Sequence, residues 1–380
     1  MILSGATIVT PSKLIEAGAL VVRRGKIAEI LDHPVPNRTD VVNSEGCFIL
    51  PGLVDTHSDV IEDEIEPRRG ALLPEQLVLL SLDARLASLG VTTVFHALHT
   101  LGISSGRRSA NSARRLMGSL RSGLAEGMLR INHLVTLRCE LSDSVSVRSV
   151  KELMHYPIVM AVSLQDHTPG PSQSEDQFRD YCRAQLRMQE QEIRKFLSRK
   201  LEGRIHLWTR AKAIAKRAVR NRLVLLSHDD ARIEDLLRFR RLGTSVSEFP
   251  TNLEVCEKAR EVGAHVCIGA PNLVIGHSQS GNVSAEAVIK NKLADLLCSD
   301  YYPPSLLAGV FKAWSNRLAT PSEVVNMATK NGAVAMGVHD RGSIEVGTWA
   351  DIIVVRIAGH VPEVAQTYYA GKLIYSRPRR

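Results

Sequence analysis

Short apolar runs rich in β-branched residues recur through the middle of the chain, and stretches long enough for a helix separate them. Two of these stretches, residues 76–89 and 285–293, have the pattern of an amphipathic helix. Strands that alternate with helices are typical of parallel βα units. The eight predicted strands span residues 53–59, 91–97, 134–140, 158–167, 223–228, 244–248, 265–270 and 294–300. The pattern therefore predicts an α/β fold, a distorted (β/α)8 TIM barrel over residues 51–339.

The two ends of the chain have a different pattern, with short strands and turns in place of helices. Near the N-terminus, residues 19–22 and 27–30 flank a turn that contains Gly25, which predicts a hairpin. Near the C-terminus, residues 366–369 and 372–375 flank Gly371 in the same way. Neither end is rich enough in strands for a core of its own. We therefore expect residues 1–50 and 340–380 to form one small β-sandwich beside the barrel.

Residue types that bind metal ions stand at the ends of five of the eight predicted strands. The first strand ends in His57 and Asp59, two positions apart and therefore on one face. Such a pair alone is more often a surface or hydrogen-bonded pair. Because the carboxyl ends of the barrel strands share one rim, five such ends favour a metal centre over capping residues. The predicted ligands are His57, Asp59, Glu140, His167, His228 and Asp300.

Six ligands of these types suit two divalent cations, which need an anionic bridge to stay close together. Glu140 is the predicted bridge, because a carboxylate can give one oxygen to each ion. A water between the ions would lose a proton near neutral pH and become the nucleophile. Asp300 is the predicted catalytic base, and the mixed nitrogen and oxygen set suits zinc, manganese or iron. The side chains expected to orient the imidazoles are Asp166, Asp229 and Glu248.

The net charge of +8 is concentrated in one segment of the chain. Residues 179–222 contain fourteen Lys and Arg against four Asp and Glu, so the remainder is slightly acidic. This segment lies in a predicted basic helical insertion near residues 172–221. Its charge forms either a solvated helix face or a wall that attracts anions. Because the excess is local, it gives little support to a nucleic-acid-binding protein, and a small molecule is the predicted partner.

The remaining features of the sequence predict a cytoplasmic protein without a membrane segment. No apolar stretch approaches the roughly 20 residues that a membrane span needs. The N-terminus has no basic region before its apolar residues, which argues against a signal peptide. The six cysteines are scattered without a C-x-x-C pair, as expected of reduced thiols in the cytoplasm. A symmetric homo-oligomer is the default expectation for such a protein.

The strings around the predicted ligands resemble the amidohydrolase superfamily. Within it they are most similar to the phosphonate-metabolism diphosphatase branch, which belongs to the carbon–phosphorus lyase pathway. The resemblance covers nearly the whole chain and includes the H-x-D at His57 and Asp59, where most of the superfamily has H-x-H. The similar strings begin at His57, Glu66, Leu137, Leu164, Ser227, Glu248, Gly269, Ser280, Ser299, Thr329 and Asp340.

The resemblance implies a metal-dependent hydrolase. The branch hydrolyses α-D-ribose 1-methylphosphonate 5-triphosphate to the 5-phosphate and pyrophosphate, so the substrate here would be a phosphorylated sugar. The residues that would bind this substrate are Arg68, Arg138, Asn272, Asn282, Tyr301 and Lys330. The charged members of this set could instead form salt bridges at the rim, and Tyr301 could pack there.

Four positions differ from the pattern of the branch. Val60 stands where the branch has Asn, and His96 stands where it has an Asp near the end of the second strand. Ile275 replaces an Arg and Gln279 replaces a His. Because an arginine binds phosphate oxygens in a bidentate manner, its loss alters the predicted contacts with a polyanion. The alternative function is therefore hydrolysis of a C–N bond in a cyclic amide or N-acyl compound, the commoner chemistry of the superfamily.

Overall fold

The computed structural model describes residues 1–36, 39–68, 70–103, 106–170 and 172–378. The strands are β1 (Ile2–Val9), β2 (Leu14–Arg23), β3 (Lys26–Leu31), β4 (Val41–Asn43), β5 (Phe48–Pro51), β6 (Leu53–Ser58), β7 (Val91–His99), β8 (Asn132–Glu140), β9 (Val159–Gln165), β10 (Val224–His228), β11 (Val246–Glu248), β12 (His265–Gly269), β13 (Leu296–Cys298), β14 (Ile352–Ala358), β15 (Val361–Tyr369) and β16 (Lys372–Ser376). The helices are α1 (Val60–Ile65), α2 (Glu75–Ser88), α3 (Ala110–Ala125), α4 (Ser144–Leu153), α5 (Glu175–Ala184), α6 (Glu190–Arg204), α7 (Leu207–Arg220), α8 (Ile233–Arg241), α9 (Leu253–Glu261), α10 (Ala270–Ile275), α11 (Ala285–Lys290), α12 (Ser305–Ser315), α13 (Pro321–Met327) and α14 (Lys330–Ala335).

The central sheet is a nearly closed parallel barrel. In the described part of the chain its eight strands, β6 to β13, lie side by side in chain order. A parallel bridge between Ser58 and Asp300 joins the first strand to the last. The N–H of Asp300 donates to the carbonyl of His57 at 2.9 Å, and the N–H of Asp59 donates to the carbonyl of Asp300 at 2.9 Å. The predicted (β/α)8 barrel is confirmed, with each predicted strand end within two residues of an observed one.

Alternation along the strands separates inside from outside positions of the barrel. The inside contains a cluster to which nearly every strand contributes, with Phe95, Leu226 and Cys267 among its members. The outside packs on the helices in a larger cluster that includes Val94 and Leu98. Because Phe95 lies inside, the residues two and four positions after it also face inward, towards the rim where the strands end.

His96 takes the opposite face of its strand and does not reach the mouth of the barrel. Its Nε2 lies 2.9 Å from Nδ1 of His133, whose Nε2 lies 3.2 Å from Oδ1 of Asp83. All three side chains are buried. Burial, and then the neighbouring His133, hold the pKa of His96 well below its usual value, so the imidazole is neutral. His96, one of the four positions that differ from the branch, therefore faces the helices and not the interior of the barrel.

Both chain ends contribute to a second sheet, in the order β16-β15-β14-β5-β1-β2-β3, with β4 beside β1. Strand β14 pairs antiparallel with β5, so the last part of the chain lies against the strand that leads into the barrel. The two predicted hairpins are confirmed as β2–β3 and β15–β16. The prediction that both ends share one β-structure is confirmed, whereas the exact domain boundaries stay a prediction.

The basic insertion consists of two distinct parts. Helix α7 packs against the barrel through Leu207, Ala211 and Ile214, as the helix of an ordinary βα unit does. Helices α5 and α6 are the additional part, and they have a small core of their own. That core contains Phe178, Cys182, Ile193, Phe196 and Leu197.

The structure also bears on two of the expectations from composition. Among the described residues, none of the helices combines the length and the apolar character required to cross a bilayer. The six cysteines are free, and all but Cys47 are buried.

Candidate metal centre

Metal-binding side chains converge at the rim where the barrel strands end. In the described part of the chain, three groups of donor atoms each lie within 4.8 Å of one another. Because His57 and His228 each belong to two groups, the three groups form one continuous centre. The groups are His57 with Asp59 and Asp300, His57 with His228 and Glu248, and His167 with His228 and Asp229.

Glu248, at the end of β11, fixes two of the imidazoles from behind. Nδ1 of His57 donates to Oε1 at 2.8 Å, and Nδ1 of His228 donates to Oε2 at 3.2 Å. Both rings therefore present Nε2 to the centre, as metal-binding histidines do. Burial alone would raise the pKa of Glu248. The charge of His57 and the hydrogen bonds from both rings outweigh burial and hold the pKa below its usual range. The orienting role predicted for Glu248 agrees with this geometry.

Glu140 holds His167 and lies outside the three donor groups. Its Oε2 accepts from Nδ1 of His167 at 2.8 Å, while its Oε1 accepts from the backbone N–H of His167 at 3.1 Å. Oε1 also contacts Oγ of Ser142 at 2.9 Å and Nζ of Lys200 at 2.9 Å. Both oxygens are thus engaged by the protein. The structure gives Glu140, the predicted bridge, the position of a residue that orients an imidazole.

Asp166 and Asp229, which were both predicted to orient imidazoles, lie in different surroundings. Asp229 belongs to a donor group, with Oδ2 at 3.6 Å from Nε2 of His167 and 3.8 Å from Nε2 of His228. Asp166 contacts none of the imidazoles in the described part of the chain, and its Oδ2 pairs with Nε of Arg204 at 3.1 Å. Asp229 therefore faces the centre, whereas Asp166 connects the rim to the basic insertion.

The backbone places two of the aspartates in an unusual conformation. Asp229 and Asp300 have φ values of 54° and 55°, in the left-handed region that asparagine and aspartate adopt more readily than most residues. Each residue follows the end of a barrel strand, so the reversed backbone turns its side chain over the rim. Burial and then the charge of Asp59 raise the pKa of Asp300 to about 7. A carboxylate of this kind is suited to accept a proton at neutral pH.

The residues at the centre fit a divalent cation. Nε2 of His57 is buried, has no hydrogen-bond partner in the described part of the chain, and lies 3.3 Å from Oδ1 of Asp59. Burial lowers the pKa of His57, but the charges of Glu248 and Asp59 outweigh burial and raise it well above its usual value. The centre therefore favours an added positive charge. Imidazole nitrogens with carboxylate oxygens suit zinc, manganese and iron.

Arg138 brings a positive charge of the protein into this centre. Its Nη1 donates to both carboxylate oxygens of Asp59, each at 2.9 Å, and its Nη2 donates to Nε2 of His228 at 3.2 Å. The guanidinium is buried at the end of β8. Arg138 thus occupies lone pairs that a metal ion would use, on two of the predicted ligands. Its predicted contact with a substrate phosphate would require these hydrogen bonds to be exchanged.

Replacing Arg138 with glutamine is therefore expected to tighten metal binding about tenfold. Hydrogen bonds to charged groups contribute roughly 1.5–3 kcal/mol, and the substitution frees Asp59 and His228 from them. Calorimetric titration of the metal-free protein with Mn²⁺ measures the effect. The exposed Arg121 provides the control, because Arg121→Gln removes an equal charge at a distance from the centre. Weaker Mn²⁺ binding by the Arg138 variant would contradict competition between the guanidinium and the metal.

The other predicted substrate residues fall into two sets. Asn272, Asn282 and Tyr301 line the pocket beside the donor groups. Asn272 is engaged in the loop structure, since its Nδ2 donates to the carbonyl of Val283 at 3.1 Å and its Oδ1 accepts from Ala285 at 3.0 Å. The amide of Asn272 is therefore already used within the protein, which reduces the number of predicted residues that are free to contact a ligand.

Arg68 and Lys330 are not brought to the pocket. Arg68 is exposed after α1 and pairs through its backbone with Ala71. Lys330 forms an ion pair with Glu345 at 2.9 Å, and the next residue, Asn331, donates to the carbonyl of Asp295 just before β13 begins. Lys330 therefore lies at the end of the barrel where strands start, opposite the rim.

His99 lies beside the three donor groups, close enough to Asp59 to act on its charge, and it was missed in the sequence. The predicted strand stopped at residue 97, but β7 continues to His99, which shares the inward face with Phe95. Nδ1 of His99 lies 2.8 Å from Oε2 of Glu62, and its Nε2 is buried without a hydrogen-bond partner among the described residues. The other three imidazoles, of His57, His167 and His228, likewise have Nδ1 beside a glutamate. Continuation of the apolar run to Leu98 was the signal for the longer strand.

The comparison with known proteins decides the family. A profile of the amidohydrolase family matches residues 48–374, which include the barrel and the strands β5, β14 and β15 of the second sheet. The chain belongs to the amidohydrolase family. The predicted superfamily and the predicted class of enzyme, a hydrolase, are thereby confirmed. A relative from Escherichia coli (strain K12) is 29% identical over 382 residues, covering 99% of this chain and 100% of the relative, and is named alpha-D-ribose 1-methylphosphonate 5-triphosphate diphosphatase.

Solved structures share the fold of this amidohydrolase over almost its full length. A dihydropyrimidinase from Brevibacillus agri NCHU1002 aligns with a TM-score of 0.66 at 11% identity, covering 99% of this chain and 95% of that one. An N-acetyl-D-glucosamine-6-phosphate deacetylase from Mycobacterium smegmatis aligns with a TM-score of 0.65 at 14% identity, covering 99% and 100%. At these identities the likeness concerns the fold alone.

Proposed function

We propose that this amidohydrolase cleaves the triphosphate of α-D-ribose 1-methylphosphonate 5-triphosphate to the 5-phosphate and pyrophosphate. The 29% identity to a relative of that name, over 99% of the chain, is the observation that carries the proposal. The donor groups at the rim support it, because phosphoryl transfer needs cations beside the reacting phosphorus. One ion would be held by His57, Asp59 and Asp300, and a second by His167, His228 and Asp229.

Two pockets that meet at His228 and Asp229 would hold the substrate. The first contains Asn282, Gln279 and Tyr301, polar groups that suit a sugar. The second is lined by three guanidiniums and therefore suits the phosphates; they belong to Arg204, Arg232 and Arg238. Arg204 and Arg232 pair with aspartates, whereas Arg238 lies over the ring of Trp208 at 5.0 Å and pairs with no carboxylate among the described residues. The reacting phosphorus would then lie between the pockets, at the donor groups.

The residues of the chain have separate tasks in this reaction. Divalent ions, when bound, polarise a phosphoryl oxygen and make a water acidic. Asp300 would serve as the base that takes a proton from the attacking water, since its carboxylate belongs to the donor group with His57 and Asp59. Glu248 and Glu140 hold the imidazoles in the required tautomer. The guanidiniums of the second pocket stabilise the negative charge that develops on the departing pyrophosphate.

Hydrolysis of a C–N bond is the second candidate, and the departures from the pattern of the branch motivate it. Val60 is buried in the helix-facing core and Ile275 is exposed at the end of α10, so neither lines the pocket. Gln279 does line the pocket, where its amide donates to the hydroxyl of Tyr301. A single altered position in the pocket supports a change in substrate contacts more than a change in reaction.

The test is to incubate the Mn²⁺- or Zn²⁺-loaded protein with the ribose 5-triphosphate and follow phosphorus products by ³¹P NMR. We expect equimolar pyrophosphate and 5-phosphate. A parallel set of cyclic and N-acyl amides tests the second candidate, and an Asp300→Asn sample guards against a contaminating phosphatase. Absence of pyrophosphate would overturn the proposal, and turnover of an amide in the same samples would favour C–N hydrolysis.

A further inference from the structure

The basic insertion places one of its lysines inside the protein. The exposed face of α6 includes Lys195 and Arg199, whereas Lys200 is 2% exposed. Its ammonium lies 5.8 Å from the ring centre of Phe178 and 5.5 Å from that of Phe196, within the small core of the insertion. A buried ammonium is strongly unfavourable unless it is paired, so this lysine requires a specific partner.

The partner of Lys200 is Glu140, at the tip of the third barrel strand. Nζ of Lys200 lies 2.9 Å from Oε1 of Glu140, which is itself 2% exposed. At this distance the buried ammonium and the buried carboxylate form an ion pair, in which each charge compensates the other. A carboxylate held in this way keeps the lone pairs of Oε2 for a hydrogen bond on its other side.

That hydrogen bond reaches the centre. Oε2 of Glu140 accepts from Nδ1 of His167 at 2.8 Å, which leaves Nε2 of the ring facing Asp229 at 3.6 Å. Tyr181 of α5 lies nearly parallel to the same ring, with centres 6.4 Å apart. The insertion therefore holds His167 from two directions, through Lys200 with Glu140 and through Tyr181.

Other contacts fix the insertion on the rim closely enough for Lys200 to keep this position. The backbone of Gly203 lies against the loop after β8, where an added Cβ would come within 1.9 Å of the carbonyl oxygen of Ser142. Arg210 donates to the carbonyl of Leu141 at 2.9 Å, and Arg204 pairs with Asp166 at 3.1 Å. Helices α6 and α7 thus dock on the ends of the third and fourth barrel strands.

We infer that Lys200 is a positioning residue of the metal centre, which it completes by holding Glu140 against His167. The inference rests on the proposed metal-dependent function but not on the identity of the substrate. The basic insertion was expected to form a solvated face or a wall that attracts anions. The inferred role differs from both, because one buried cation acts through a carboxylate on a metal-binding imidazole.

The first experiment measures metal affinity, which does not depend on the bond that the enzyme cleaves. Lys200→Met keeps the length and apolar character of the side chain and removes the charge, and Lys195→Met on the exposed face of α6 is the matched control. We expect Zn²⁺ and Mn²⁺ titrated into metal-free protein to bind about 10–100-fold more weakly to the Lys200 variant, the range usual for partners of metal ligands. The control variant is expected to match the wild type. Unchanged affinity in a folded Lys200→Met protein would overturn the inference.

A double-variant cycle separates positioning from general stability. If Lys200 acts through Glu140, Lys200→Met has no further effect on metal affinity in the Glu140→Gln background. An equal loss in both backgrounds would show that Lys200 acts by another route and would overturn the inference. The double variant also leaves no unpaired buried charge, so it can be measured even where Lys200→Met alone does not fold. Wild-type affinity in that double variant would likewise count against the inference.

Discussion

Asp300→Asn is expected to lower kcat by a factor of about 10³, within the 10²–10⁴ range of general acid–base catalysis. The amide cannot accept a proton, whereas the backbone of the site is preserved: asparagine tolerates the left-handed φ of 55°, and the hydrogen bonds of Asp300 with His57 and Asp59 involve main-chain atoms. Steady-state kinetics at saturating ribose 5-triphosphate, with metal content measured by elemental analysis, test this expectation.

The control for this variant is Asp176→Asn, the same change at an exposed position in α5. It is expected to leave both kcat and metal content unchanged. A metal-loaded Asp300→Asn protein that keeps more than a tenth of the wild-type kcat would refute the role of base. Loss of metal together with activity would instead identify Asp300 chiefly as a ligand.

Glu248→Gln is expected to weaken metal binding by a factor of about 100 or more. Glu248 accepts hydrogen bonds from Nδ1 of both His57 and His228, and a glutamine side chain has only one oxygen to accept with. The ring that faces the new NH₂ group must change tautomer, which places a hydrogen on its Nε2. Because loss of one such partner usually weakens metal binding by about 10–100-fold, the upper end is expected for a residue that serves two ligands.

Titration of metal-free protein with Zn²⁺ measures this second effect. Ser163→Ala is the matched control, since Oγ of Ser163 donates to Oε2 of Glu248 at 2.6 Å and its removal leaves both imidazole contacts in place. A loss of less than about tenfold is expected there. If Glu248→Gln bound Zn²⁺ as tightly as Ser163→Ala does, the two imidazoles would be held in their tautomer by something other than Glu248.

The positions of the strand ends were predictable because apolar alternation marks each barrel strand. His57, Asp59, His228 and Asp300 stand at such ends, and the structure brings all four into the donor groups. A strand read two residues short was enough to omit His99. Periodicity therefore identifies the residues at the rim well, and its errors lie in the exact residue at which a strand ends.

The partners of the rim residues were not predictable in the same way. Lys200 and Glu140 are sixty positions apart, and no periodic pattern connects a residue of an inserted helix to a strand tip. The role expected for Glu140 differs from its observed position for this reason, because Lys200 and His167, which are distant in the sequence, engage its two oxygens. Lys330 shows the converse case, because its string matches the branch although the residue lies at the end of the barrel opposite the rim.

The pairing of β5 with β14 has a consequence for biosynthesis. Strand β5 ends at Pro51 and its partner begins at Ile352, so a ribosome that adds 5–20 residues per second needs roughly 15–60 s to deliver the partner. During that interval one edge of β5, with the side chains Phe48, Ile49 and Leu50, has no neighbour and offers a template for non-native strand pairing. A nascent chain of this architecture therefore exposes an unpaired apolar strand edge until its C-terminal strands have been synthesised.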